Sequence, residues 1–275
     1  MCLRVRQVCL MTEIFLLRLI VSFFAGGGIV LLAIFLAQKL GSRLGGLLSG
    51  FPTIIFVSLL LIGVFVSAEA AQTASMSALV ALSFFGIFAC IYVRFHKQSI
   101  WVSLPLAILG WLIAATIFNG FEIDTYWMAL AIFLCVVIGS LSFLRFQDTP
   151  ASLSADIPKP KWSYILRFML GGLTVSVAYL LSVVAGERVG GILASFPALA
   201  ISSIIILNHL EGKAFTASFI KNVFASAAVN CGIYISGVYF TYVAFGVLWG
   251  TVITVAVSIC STAALIYLSS FIKKG

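Results

Sequence analysis

Charge is what this 275-residue chain has least of: Asp, Glu, Lys and Arg together make up 9% of it. A soluble domain carries about a quarter charged residues, and it needs them to cover its core. A soluble enzyme, a secreted disulfide scaffold and a nucleic-acid binder are therefore excluded. Acid is scarcer than base, with 8 acidic residues against 16 basic ones. Glu13, Glu69, Glu122, Asp124, Asp148, Asp156, Glu187 and Glu211 all fall in or near expected loops. A carboxylate proton relay, which places acid at mid-membrane depth, has no residues to build it. Two histidines, His96 and His209, fall in a basic loop and at a run end. There is no Gly-x-x-x-x-Gly-Lys-Ser loop, no His-Glu-x-x-His and no paired acids. The expectation is a protein that is not an enzyme and uses no metal or cofactor. Of the six cysteines, Cys90, Cys135, Cys231 and Cys260 lie inside apolar runs without metal-ligand spacing and read as small buried hydrophobes.

What the chain does have is apolar length. Hydrophobic residues make up 63%, mean hydropathy is +1.22, and runs of about 18 or more apolar residues recur. This predicts an all-α, polytopic helical membrane protein whose partner is the lipid bilayer. Nine spans are expected, at 14–38, 45–67, 72–94, 100–119, 126–145, 163–185, 190–210, 214–243 and 246–271. The eighth is long for one straight crossing, which suggests a tilted or broken helix, and splitting it would give ten. With nine, Lys39, Arg43, Arg94, Lys97, Arg145, Lys159, Lys161, Lys213, Lys273 and Lys274 share one side. Basic loops face the cytoplasm, so the C-terminus is placed inside. The expected location is the cytoplasmic (inner) membrane of a prokaryote. Trp101, Trp127 and Trp162 fall near span ends, where amphipathic rings favour the headgroup layer.

The stretch 146–162 is the one extended polar segment and holds three of the six prolines. It reads as a cytoplasmic linker. The expected division is 1–145 with five spans, of which 1–10 are an upstream extension if the start is Met11, then the linker, then 163–275 with four spans.

The two halves are copies. Shifted by 145 residues, 23–62 and 168–207 align without a gap and agree at 14 of 40 positions. Gly41-Ser-Arg43-Leu-Gly45-Gly46 falls on Gly186-Glu-Arg188-Val-Gly190-Gly191, and Phe51-Pro52 falls on Phe196-Pro197. Five spans before the linker make the second copy enter from the opposite face. The result is a 5+4 inverted-topology repeat, a plan common among secondary transporters.

The repeated motif interrupts its own span. Proline suits the first position of a helix and keeps the residue before it out of helical geometry. Residues 45–51 and 190–196 are thus expected to be extended, bent or loosely helical, with regular helix resuming at Pro52 and Pro197. Free N–H groups at 53–55 and 198–200 would carry partial positive charge into the interior. The substrate-path candidates are Arg43, Gly45, Gly46, Ser49, Phe51, Pro52 and Thr53 in the first copy. In the second copy they are Arg188, Gly190, Gly191, Ser195, Phe196 and Pro197, joined by Lys221 as an intramembrane cation. The competing reading is that the glycines serve close helix packing and the cations anchor span ends. Arg18 and Arg167 read as snorkelling or paired, with Glu13 available to Arg18, and Pro105 is expected to kink the fourth span.

The Gly-Gly-Leu-Leu-Ser-Gly-Phe-Pro-Thr-Ile segment at 45–54 resembles the pattern of the small GlpM-like inner-membrane proteins, over some 60 residues of each half. The resemblance implies a membrane location and the duplication of a small unit; it names no substrate. In the second copy Ala198 stands where the first has Thr53, which removes the hydroxyl. The expected function is a transporter or facilitator for a small polar or anionic solute, bound between the halves. The alternatives are a passive channel and a non-transporting scaffold or accessory protein.

Overall fold

The computed structural model describes residues 2–39, 52–123, 125–147 and 160–272, and these are helical throughout apart from turns. In chain order the helices are α1 (Cys2–Lys39), α2 (Thr53–Phe65), α3 (Ala68–Phe95), α4 (Ile100–Asn119) and α5 (Tyr126–Arg145). They continue as α6 (Lys161–Val184), α7 (Glu187–Ala194), α8 (Ala198–Leu210) and α9 (Lys213–Ile272). Among the described residues, seven helical stretches are long and apolar enough to cross a membrane.

The boundaries have local causes. Ser67, Ser99 and Thr125 each accept a backbone N–H of the following helix in their side-chain oxygen, filling a place that a helix start leaves empty. Pro105 lies inside α4, and the helix runs on through it. The long α9 is broken at Gly246, whose φ of 77° and ψ of 162° leave the helical region. A side chain there would be strained, so glycine is required. Beyond the break the chain folds back. The Thr241 hydroxyl lies 3.0 Å from that of Thr254 and donates to the Gly250 carbonyl, and Thr251 donates to the Tyr242 hydroxyl at 2.8 Å. The arm over 213–245 is one unbroken helix, so the split that would give ten spans is absent. At about 1.5 Å per residue it is roughly 50 Å long.

Two helix pairs organise the molecule. In the first, Phe15 meets Tyr179, Ser176 donates to the Leu19 carbonyl, and Gly172 and Phe168 sit against Phe23 and Gly27. As the number rises on α1 it falls on α6, so the two helices are antiparallel. The contacts also exchange: Gly26 faces Val175 while Gly171 faces Val30, and Gly27 faces Phe168 while Gly172 faces Phe23. Each residue touches the counterpart of the residue that touches its own counterpart, 145 positions on, which is the signature of a twofold axis. The rings of Phe23 and Phe168, equivalent in the repeat, meet edge to face at 5.6 Å.

The second pair is α3 against the first arm of α9. Gln72 donates to the Tyr239 carbonyl, and Phe85 and Gly86 meet Phe224, again antiparallel. The main core lies around α3, where Ala71, Ala74, Ala78, Leu79, Phe88 and Ala89 are fully enclosed. The small residues let α7 and α9 approach the α3 backbone closely. Outward faces stay apolar: Leu17, Phe24, Ile113, Ile138 and Leu173 are exposed. Trp101 and Trp127 stand exposed in the first turns of α4 and α5, as expected for rings at span ends.

Candidate functional site

The helix start that follows the repeated proline has one geometry in both copies. Pro52 (φ −76°, ψ 57°) precedes α2 and Pro197 (φ −77°, ψ 45°) precedes α8. Each proline carbonyl accepts the first helical bond, from Phe56 at 2.7 Å and from Ile201 at 2.9 Å. The regular helix thus resumes directly after the proline, where its missing N–H costs nothing. These two helix starts converge. Ile54 and Val57 of α2, Ala198 of α8, and the axial residues Val30 and Val175 form one buried cluster, with Phe196 and Leu199 packed on it. Its character is apolar. Thr53 is buried, and its counterpart Ala198 is fully so.

The segment before Pro197 differs from the expectation. Residues 190–194 belong to the regular helix α7, and the irregular backbone is confined to Ser195–Pro197. Gly190 and Gly191 do not loosen the helix; they bring it close to its neighbours. A Cβ on Gly190 would lie 2.5 Å from the Ser182 Cβ and 2.8 Å from the Ala178 carbonyl oxygen. One on Gly191 would run into the Ala74 carbonyl of α3. One turn on, the Ser195 hydroxyl donates to the Ala78 carbonyl at 2.8 Å. Phe196 meets the fully buried Trp111 of α4 edge to face at 5.2 Å. In the first copy, Arg43, Gly45, Gly46, Ser49 and Phe51 lie outside the described residues.

The cations of the sequence reading sit at helix ends. Arg188 donates to the Phe118 carbonyl at 2.9 Å and lies over the Phe118 ring at 5.1 Å. That carbonyl is in the last turn of α4, where acceptors are left over and a positive charge is favoured. Lys221 donates to the Gln147 carbonyl just past α5, and Lys213 to the Lys97 carbonyl just past α3. Arg18 does the same for α2, donating to the Phe65 carbonyl at 2.9 Å. Arg188 and Lys221 thus each reach a carbonyl at or just past a helix end.

One cation does not follow this pattern. Arg167 lies six residues into α6, about 9 Å along its axis, and donates from one terminal nitrogen to the Ser203 hydroxyl of α8 at 3.3 Å. Its Nε is sealed from solvent and has no hydrogen-bond partner. The Ser58 hydroxyl and the Trp111 indole nitrogen are likewise buried without a partner. Ser58 and Ser203 are the same position in the two copies, but the residue matching Arg167 in the first copy is Ser22. Ser22 satisfies itself on the Arg18 carbonyl at 2.7 Å. The repeat alignment held this signal: an identical serine in each half, with an arginine facing it in only one. No group of His, Cys, Asp or Glu able to hold a metal occurs among the described residues.

Residues 19–125 and 164–272 each match the family described as Protein of unknown function (DUF3147). The chain belongs to that family, and it holds two copies of the unit. No curated protein and no solved structure matches it. The DUF3147 match supports the duplication and shows no link to the GlpM-like proteins. The first match runs from within α1 to the end of α4, and the second from within α6 to the end of α9. Helix α5 belongs to neither.

Proposed function

We propose that this DUF3147 protein is an integral membrane protein built as an inverted repeat, and that it carries a small polar or anionic solute between its halves. The single observation behind the reading is the convergence of the two post-proline helix starts beside the α1–α6 axis. Interrupted spans facing each other at a pseudo-twofold axis are how such carriers place a site at mid-depth.

Several contacts support the membrane placement. If the chain crosses the bilayer nine times, Arg18 with Phe65, Arg188 with Phe118 and Gln72 with Tyr239 all fall at the outer surface. Lys213 with Lys97, Lys221 with Gln147, and Trp162 with His209 all fall at the inner one. The family copies also refine the arithmetic. Each is read as four crossings, an even number, which alone would leave the second copy upright. Helix α5 supplies the odd crossing, so the plan is four, one, four, and the five of the first half divide into a unit plus an inverter.

The enclosed apolar cluster of Val30, Ile54, Val175 and Ala198 favours a second reading, a non-transporting scaffold. Flux decides between them. Wild-type protein in proteoliposomes should move at least one of a panel of small anions and neutral polar solutes with saturation and counterflow. Pro52→Ala and Pro197→Ala should lose that flux while remaining inserted. Flux that neither saturates nor counterflows would indicate a channel, and none above empty liposomes across the panel would leave the scaffold.

A further inference from the structure

We infer that Arg167, with Ser203, is an oxyanion-binding site in the inner half of the protein. The inference deepens the transport reading and rests on it for the purpose of the site, though not for its chemistry. A guanidinium has five N–H donors and stays charged at any working pH. Arg167 uses one of them, on a neutral hydroxyl, and its Nε is sealed away with no acceptor. Among the described residues no carboxylate meets it. Arg167 is half-buried, and taking a charge even partly out of water with no counter-charge beside it carries a desolvation cost. The other cations Arg18, Arg188, Lys213 and Lys221 escape that cost by reaching helix-end carbonyls. Arg167 does not, although Lys161 stands exposed at the start of the same helix.

No described residue supplies the missing acceptor, and the proposed site takes it from a ligand. The planar fork suits a carboxylate or a phosphate, which takes two of its N–H groups at once. Tyr164, one turn earlier on α6, lines an open groove of about 430 Å³ with Gly28, Leu31, Leu32 and Phe35. This puts a groove open to the exterior one turn from Arg167, whose own Nε is sealed, and the acceptor can be a free anion or the headgroup phosphate of an acidic lipid. The chemistry is shared, and the two sources separate experimentally.

The test is thermal unfolding of the full chain in nanodiscs. In phosphatidylcholine discs with chloride as the only anion, Arg167→Gln should unfold at a higher temperature than wild type, because the uncompensated charge is gone. Wild type should then gain several degrees from inorganic phosphate in those discs, or from phosphatidylglycerol in discs without phosphate. The first result identifies a free anion, the second a lipid. Arg167→Gln should gain nothing from either, and Ser203→Ala should gain less than wild type. No gain in wild type, an equal gain in Arg167→Gln, or an Arg167→Gln variant that melts lower in chloride would each overturn the site. Because no flux is measured, these outcomes leave the transport reading to its own experiment. A protein that binds phosphate through Arg167 and moves no solute would retain the site and lose the carrier.

Discussion

Gly26 and Gly171 face each other where α1 crosses α6, so close that a Cβ on Gly26 would lie 3.1 Å from the Gly171 carbonyl oxygen. The two residues are the same position of the repeat, and their contacts, Val175 for one and Val30 for the other, exchange with them. The crossing is self-complementary, so damage to it should be symmetric.

Gly27→Ala and Gly172→Ala test that symmetry. The new methyl would meet the Phe168 carbonyl oxygen at 2.8 Å in the first and that of Phe23 at 2.6 Å in the second. Backbone cannot yield as a side chain can, so each should cost about 1–3 kcal/mol. The two should match within roughly 0.5 kcal/mol. Gly28→Ala, whose methyl would meet nothing within 4 Å, is the control and should be neutral or slightly stabilising. Unfolding of purified protein in one detergent reads all three, and a mild effect in only one copy would count against the axis.

Gly246→Ala should be destabilising by about 1–2 kcal/mol, because φ is 77° there and an L side chain is strained in that region. Space is not the issue, since nothing lies within 4 Å of the methyl position. The loss should be accompanied by faster proteolysis of the second arm of α9. An unchanged midpoint would mean that the chain bends elsewhere.

Arg188→Ala should lower stability by about 1–2 kcal/mol, the sum of a helix-end charge and a cation–π contact, and Arg188→Lys should recover part of it. If the unfolding midpoint stays fixed and only solute flux disappears, Arg188 belongs to the path instead.

Sidedness should alternate if the chain crosses the membrane nine times. In a background without native cysteines, single cysteines at the exposed positions Gln98 and Glu211 should react with an impermeant reagent from one face of the membrane. Those at Phe121 and Ala185 should react from the other. Replacing α5 with a soluble linker should move Ala185 to the face of Gln98, and labelling that stays put would show that α5 does not set the inversion.

The helical, apolar character and the duplication were legible because both rest on long stretches of chain. From Ala68 onward the span ends agree with the helices to within about four residues, whereas the first helix starts at Cys2, well before 14; the restart at Pro197 was visible because proline acts on its own backbone. The state of 190–194 was not. Glycine weakens an isolated helix, but Gly190 and Gly191 are held helical by α3 and α6, and partners from other parts of the chain leave no local mark. Arg188 and Lys221 drew attention as cations beside apolar sequence, and only coordinates reveal which carbonyls they reach. Arg167 looked like one more anchor near a span end. Its isolation depends on what α8 does not offer, and an absence of that kind has no sequence pattern.

The difference between Ser22 and Arg167 has a consequence for why one chain holds both copies. A pair of separate identical subunits would have to place the same residue at both positions, either two guanidinium groups near one axis or none. Joining the subunits frees each position to change alone, so Arg167 can stand in one copy while Ser22 holds its place in the other.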